Sequence, residues 1–355
     1  MSLSTTVPTT PSSPPTAPPV TVPGAADGRM HFSVDGWNPT YGTNLELEDD
    51  LGESSAEVVV DIELPAAQWR PIEVDRTVTL PAAALFVDGV RRVEARVWID
   101  EVSDGAPATE ASAALCASYA AGVVCCCESQ AHLLTIEARR GLFTIAPHAL
   151  DISTSAGVYH ACHTPPSDVA PLTVTLSAAL QRRLAKLELA TANAARAELA
   201  GHGAAEDRDL LVIDGPLRNR THLPRTIGFI KSHRSAYLPP KLHAMVGALA
   251  GGERTPVFLM GTTWERHAWY LRLPCSPGSP WAGVVRIECS ADLPRAEVTR
   301  LANLSQATLC RYASLEYKDA RAPQNLYPIA GLERQLRRRL GDTRLLYRAL
   351  RVAAQ

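Results

Sequence analysis

The hydrophobic pattern of the chain changes once, near residue 171, and that change limits the folds the chain can adopt. Before it, extended apolar segments follow one another, as over 78–88 and 90–99, and predict a meander of strands. After it, residues 173–202 carry leucines at helical spacing, and residues 210–213 form a short apolar run, typical of a strand covered on both faces. Strands, then a long helix, then a buried strand predict an α/β domain with a mixed sheet flanked by helices.

The same periodicities place the other segments. The first 27 residues contain seven prolines among Ser, Thr and Ala, with too few apolar side chains to bury, which predicts a disordered tail. We therefore divide the chain into a tail over 1–27, a β-rich extension over 28–80 and a main domain over 81–355. Further strands are predicted over 57–64, 114–126, 133–138, 226–230, 269–273 and 283–289, and further helices over 239–250 and 331–352.

The composition is that of a folded protein with its own core. Hydrophobic residues make up 46% of the 355 residues and charged residues 20%, as is typical of globular chains. The formal net charge of −2 argues against a basic coat over the whole surface and leaves room for a local nucleic-acid groove. The sequence contains no apolar run of the length of a membrane span and no visible secretory signal. We therefore expect a cytoplasmic protein that makes no membrane contact.

The eight cysteines contain no Cys-x-x-Cys pair, and three of them are adjacent, at 125–127. Three adjacent cysteines cannot all reach one zinc ion with a relaxed backbone. Cys162-His163, close to His160, resembles half of a metal site, but no second half accompanies it. We therefore expect the cysteines to be small buried side chains of a protein in a reducing compartment.

Two aspartates follow apolar runs and precede glycines: Asp88 after residues 84–87, and Asp214 after residues 210–213. A carboxylate at the end of a buried strand loses its hydration unless a metal ion or fixed donors compensate. A following glycine lets the chain turn sharply and lets a ligand approach the backbone. A tight turn alone would explain one Asp-Gly pair, whereas two pairs on either side of a long helix favour a functional site.

A site for hard divalent cations needs more than two carboxylates, because Mg²⁺ and Mn²⁺ prefer several oxygen ligands. Two such ions about 4 Å apart stabilise both the attacking and the leaving oxygen of a phosphodiester. The predicted long helix offers Glu188, beside Leu184 and Leu187 on its apolar face, and Glu198 near its polar end. A solvated helix surface accounts for Glu198. Glu188 is therefore the third candidate ligand, with a solvated position as its alternative.

Basic side chains accompany both motifs. Lys231, His233 and Arg234 follow the strand predicted over 226–230, and Arg91 comes shortly after the first Asp-Gly pair. Cations beside carboxylates suit the binding of a scissile phosphate and its neighbours. These four are therefore candidate contacts to a phosphodiester backbone, and Lys231 is also a candidate catalytic residue. An ordinary polar strand end with surface charges is the alternative.

Five short motifs occur along the chain: Phe-Val-Asp-Gly-Val-Arg at 86–91, Ala-Ser-Tyr-Ala-Ala-Gly at 117–122, Leu-Val-Ile-Asp-Gly-Pro-Leu at 211–217, Gly-Phe-Ile-Lys at 228–231 and Tyr-Pro at 327–328. Together they resemble the motifs of the NurA nuclease family, over about three quarters of the chain. The resemblance implies an RNase H-like core. It also implies that Asp88, Glu188 and Asp214 bind catalytic Mn²⁺ or Mg²⁺.

The same resemblance implies cleavage of single- and double-stranded DNA, including exonuclease action. Its further implications are a homodimer, a HerA-type hexameric translocase as partner, and a role in DNA repair or phage defence. One departure from the family concerns the helix after Tyr327-Pro328, which lacks the usual histidine. Glu333 or Gln335 would then take its place.

Two other functions remain as alternatives. The missing histidine favours a catalytically weakened adaptor that lends its surface to a translocase. Paired Asp-Gly motifs at strand ends also occur in phosphatases, although this sequence lacks an Asp-x-Asp-Gly nucleophile motif. ATP hydrolysis by this chain is not expected, because the sequence contains no Gly-x₄-Gly-Lys-Ser/Thr loop.

Overall fold

The computed structural model describes residues 30–34, 56–101, 111–127, 130–201, 208–218, 220–231, 233, 236–275, 281–315 and 323–355. For residues 30–34, 101 and 201 it describes the backbone alone. The predicted tail over 1–27 and Arg234 lie outside the described residues.

One large sheet runs through the molecule, in the order β2-β10-β11-β12-β9-β8-β3-β4-β5-β7-β6, with β1 paired to β3. The strands are β1 (Met30–Val34), β2 (Glu57–Val59), β3 (Ala83–Glu101), β4 (Ser112–Cys127), β5 (Gln130–Thr144), β6 (Ile152–Thr154), β7 (Gly157–His163), β8 (Asp209–Asp214), β9 (Thr226–Ile230), β10 (Phe258–Gly261), β11 (Glu265–Arg272) and β12 (Val284–Ser290). The helices are α1 (Leu172–Gly201), α2 (Pro240–Ala248), α3 (Arg295–Cys310), α4 (Tyr327–Arg339) and α5 (Thr343–Ala353).

The centre of the sheet has RNase H-like topology. Strands β3, β4 and β5 form an antiparallel meander. After the long helix α1, β8 returns beside β3 and parallel to it, and β9 lies parallel to β8 on its other side. The predicted fold class, a mixed α/β sheet flanked by helices, is confirmed.

Helices cover the two faces of this centre. Side chains alternate between the faces of a strand, so Leu85 and Val87 of β3 pack in a cluster with Ala192 of α1. Phe86 and Val90 point the other way, into a cluster that contains residues of α3 and α4. The apolar run over residues 210–213 of β8 follows from the position of the strand between these two layers.

The described part of the predicted N-terminal extension belongs to the same sheet. Strand β1 pairs with the far end of β3, and β2 pairs with β10 near the opposite end. Glu63 is anchored by Arg254, which is fully buried and donates from both terminal nitrogens to its two carboxylate oxygens at 2.7 Å. The domain boundaries at residues 27 and 80 stay predictions. Among the helices of the described residues, none is long and apolar enough to cross a membrane.

Several sequence-based boundaries are wrong. The strands predicted over 78–88 and 90–99 are one strand, β3, which continues through Gly89. The strand predicted over 57–64 is reduced to β2. The helix predicted over 331–352 is two helices, because Gly341 has a φ of +85° and Asp342 caps α5 by accepting the N–H groups of Arg344 and Leu345. Helix α3 was not predicted.

Candidate active site

Asp88 and Asp214 lie side by side in the centre of the sheet. Val87 of β3 is opposite Ile213 of the parallel strand β8, so the two aspartates occupy the next position on each strand. By the alternation of a strand, both side chains point to the same face as Phe86. Asp88 is only 9% exposed.

The two glycines after these aspartates have different roles. Gly215 has a φ of +117°, which other residues rarely adopt, and it ends β8. Gly89 does not turn the chain, which corrects the expectation of a strand end there. A Cβ on Gly89 would lie 3.1 Å from Cδ of Glu188 and closer still to its Oε1. The glycine therefore makes room for a carboxylate from α1.

Glu188 approaches the pair of aspartates from the opposite face of the sheet. It is 7% exposed, so the solvated alternative is excluded for Glu188, whereas Glu198 is exposed as predicted. The Oε2 atom of Glu188 accepts a hydrogen bond from Nη2 of Arg220, which is also buried. Burial raises the pKa of Glu188, and the nearby Arg220 guanidinium opposes that rise.

The three carboxylates act on each other electrostatically. Burial is the largest cause that raises the pKa of Asp88 well above its usual range, and the negative charges of Asp214 and Glu188 add to the rise. The Lys231 ammonium and the N–H of Gly89, which donates to Oδ1 of Asp88 at 2.7 Å, oppose it. The site therefore concentrates negative charge where little water can solvate it.

Lys231 supplies a cation to this site. It follows β9, and its Nζ lies 2.6 Å from Oδ2 of Asp214 and 3.3 Å from Oδ1 of Asn325. Asn325 is fully buried, just before α4, and Ser314 donates to its backbone carbonyl. The lysine thus lies between one carboxylate and the side-chain amide oxygen of a buried asparagine.

The donor set fits a hard divalent cation. Asp88 and Asp214 offer carboxylate oxygens from neighbouring strands, and a cation between them would offset the burial and the repulsion that raise the pKa of Asp88. Among the described residues, the three carboxylates do not all bring an oxygen within 4.8 Å of one another. Glu188 instead pairs with Arg220.

Two other predicted phosphate contacts lie in packed surroundings. Arg91 lies on the α1 side of β3, where its Nη1 is 3.3 Å from Oγ of Ser177. The ring of His233 is 2.8 Å from the carbonyl oxygen of Val284 through Nε2 and packs near Tyr270 and Trp281. Burial lowers the pKa of His233. Their roles in DNA binding stay predictions.

Glu333, the predicted contributor from the helix after Tyr327-Pro328, lies on α4. Its Oε1 accepts hydrogen bonds from Nε and Nη2 of Arg337 at 3.1 and 2.8 Å. Gly122 of β4 pairs with Asp88. The α4 side chain near this glycine is Leu332, one residue before Glu333. A metal-binding role for Glu333 stays a prediction.

Sequence reasoning missed Arg220 and Asn325. Both come from segments between regular elements, and each meets a partner far away in the chain: Glu188 for Arg220 and Lys231 for Asn325. Asn325 carried a weak signal, because it stands immediately before the Leu-Tyr-Pro run that opens α4. Arg220 carried none.

No protein-family profile and no curated protein sequence matches the chain. Among solved structures, the chain is similar to the NurA nuclease from Sulfolobus solfataricus, with a TM-score of 0.41 and 9% sequence identity. The similarity covers 78% of this chain and 86% of that one. A likeness this distant assigns no residue a role.

Proposed function

We propose that this protein is a metal-dependent nuclease that hydrolyses phosphodiester bonds of DNA. The observation that carries the proposal is the meeting of Asp88 and Asp214 on neighbouring parallel strands, with Glu188 buried behind them and Lys231 beside them. Carboxylates brought together against their mutual repulsion are typical of sites built for a cation.

The residues of the site would have separate tasks. A Mn²⁺ or Mg²⁺ ion held by Asp88 and Asp214, with Glu188 as a third carboxylate, would neutralise charge at a scissile phosphate and lower the pKa of a water. Lys231 would donate to a non-bridging oxygen of that phosphate. Asn325, whose Oδ1 is 3.3 Å from Nζ of the lysine, would keep the ammonium directed into the site.

The first test is digestion of linear single- and double-stranded DNA with Mn²⁺ or Mg²⁺, comparing the wild type with Asp88→Ala and Asp214→Asn. We expect cleavage that needs the divalent cation and that both substitutions abolish while the fold is retained. Full activity in Asp214→Asn beside a metal-dependent wild type would overturn the site assignment. A small phosphate monoester in the same assay tests the phosphatase alternative.

Helix α1 provides a matched control. Glu188→Gln removes the buried carboxylate, whereas Glu198→Gln changes an exposed residue of the same type on the same helix. We expect loss of cleavage in the first variant and none in the second. Equal activity in both would exclude Glu188 from the catalytic machinery.

The motif resemblance further supports a homodimer that acts with a HerA-like hexameric translocase in DNA repair or phage defence. Co-purification with a translocase, followed by the same digestion assay, tests the partner. The pairing of Glu188 with Arg220 favours a second candidate, the catalytically weakened adaptor. Absence of cleavage both alone and with the translocase, together with retained binding to it, would support the adaptor.

A further inference from the structure

The tip of the β4–β5 hairpin brings three soft metal-binding side chains together. Cys125 and Cys127 lie on one face of β4, because side chains two apart share a face. His132 of β5 is directly opposite Cys125, so its ring stands on that face too. Cys126, between the two thiols, points the other way into the cluster that contains Phe86.

The ligand atoms of these three residues already lie near metal-binding distances of one another. Their sulfur and ring nitrogen atoms are all within 4.8 Å, and Sγ of Cys127 is 3.8 Å from Nδ1 of His132. Around a tetrahedral zinc ion, the usual bond lengths separate sulfur from nitrogen by about 3.6 Å. Side-chain adjustments alone would close the remaining gap.

We propose that Cys125, Cys127 and His132 form a zinc site, with the fourth tetrahedral position open to solvent or to another ligand. Thiolate and imidazole donors select Zn²⁺ over the hard ions suited to carboxylates. On binding, each thiol releases its proton to solvent as the sulfur–zinc bond forms. The proposal gives Cys125 and Cys127 a role beyond that of small buried side chains.

The surroundings of the three residues suit a zinc ion. Cys125 is fully buried, Cys127 half-buried and His132 exposed, which leaves an entry path on the histidine side. Leu199 and Trp264 pack against the apolar cluster that contains Cys125 and shield the Cys125 side of the group. Asp209, nearby, pairs with Arg196 and Arg225, so it is engaged elsewhere.

The zinc ion would cross-link the two strands of the hairpin. The β4–β5 pairing has a register shift between Val123 and Val124, immediately before the first thiol, and such irregularities weaken a ladder locally. Ligands from both strands would hold the tip together beyond this point. The inference is independent of the proposed nuclease activity, since it concerns other residues and another class of metal.

The test uses the full-length protein after chelation and dialysis, with Co²⁺ as a spectroscopic probe and Zn²⁺ as its competitor. Thiolate ligation gives cobalt a sulfur-to-metal charge-transfer band that carboxylates cannot produce. We expect the wild type to bind about one equivalent with this band, and Zn²⁺ to displace it. Cys127→Ser and His132→Ala, at less buried positions, should each weaken binding at least tenfold.

Cys275→Ser and His160→Ala are the matched controls, because they remove the same residue types at half-buried and exposed positions elsewhere. Both should bind cobalt and zinc like the wild type. The proposal is overturned if the wild type shows no charge-transfer band and retains no zinc. It is also overturned if the Cys127→Ser/His132→Ala double variant binds zinc as tightly as the wild type.

Discussion

The contact between Gly89 and Glu188 gives a prediction that tests the site through a residue with no side chain. In Gly89→Ala, the new Cβ would lie 2.7 Å from Cδ1 of Leu184 and 3.1 Å from Cδ of Glu188. An ordinary contact needs at least 3.4 Å, so Leu184 must move by about 0.7 Å, and the carboxylate must move with α1 or rotate away. Overpacking of this kind costs about 1–3 kcal/mol of unfolding free energy.

The same displacement should affect catalysis more than stability. Misplacing a catalytic group by about 1 Å costs on the order of 100-fold in rate. We therefore expect Gly89→Ala to remain folded, to lose about 1–3 kcal/mol in urea denaturation and to lose about 100-fold in cleavage of linear DNA. The rate is measured under single-turnover conditions with saturating Mn²⁺, so that weaker metal binding does not mimic a slower reaction.

Three further variants test this prediction. Gly141→Ala is the matched control, because its Cβ would lie 2.8 Å from the ring of Phe143 and overpack a strand away from the carboxylates. It should lose stability and retain its rate. Glu188→Asp shortens the clashing side chain, so the double variant Gly89→Ala/Glu188→Asp should recover part of the lost stability. Wild-type cleavage by Gly89→Ala, or additive stability losses in the double variant, would refute the argument.

Three other predictions concern the charges of the site. Asp88→Asn should stabilise the fold by about 0.5–2 kcal/mol. Because burial and Asp214 raise the pKa of Asp88, the contribution of Asp88 to stability falls as pH rises through that pKa. The stability gained by the variant, measured by thermal denaturation, should therefore grow with pH. Arg220→Met should destabilise the fold by about 3–5 kcal/mol in urea denaturation, because it leaves the Glu188 carboxylate buried and unpaired. The double variant Arg220→Met/Glu188→Met should recover most of that loss, and no recovery would contradict the pairing. Lys231→Met should slow cleavage by about 100-fold or more with little change in the Mn²⁺ concentration needed, because it removes a donor to a developing charge. A large change in the metal requirement alone would contradict this role.

The three carboxylates of the candidate site could be selected from the sequence because each lies on an element with a clear hydrophobic periodicity. The apolar runs before Asp88 and Asp214 identify buried strands, and the position of Glu188 beside Leu184 on α1 identifies its buried face. Once β3 and β8 are parallel neighbours, their register brings the two aspartates together. The strand end expected at Asp88 was wrong, because β4 continues to pair with β3 far beyond β8.

The partners of those carboxylates could not be predicted in the same way. Arg220 and Asn325 lie outside regular elements, where no periodicity fixes the direction of a side chain, and their contacts join residues far apart in sequence. The zinc ligands were missed for a related reason. Spacing along the chain relates the cysteines only to one another, whereas His132 enters the group only through the pairing of β4 with β5.

The two proposed metal sites are chemically separate, but β4 carries the thiols of one and pairs with the strand that carries Asp88 of the other. Gly122 of β4 pairs with Asp88, and Cys125 follows it on the same strand, across the register shift in the β4–β5 pairing. Oxygen ligands at one site and sulfur and nitrogen ligands at the other let each select its own ion from the same solution. A zinc ion at the hairpin tip would limit fraying of β4 and would thereby help to fix the backbone opposite Asp88 without contributing a ligand to the carboxylate site.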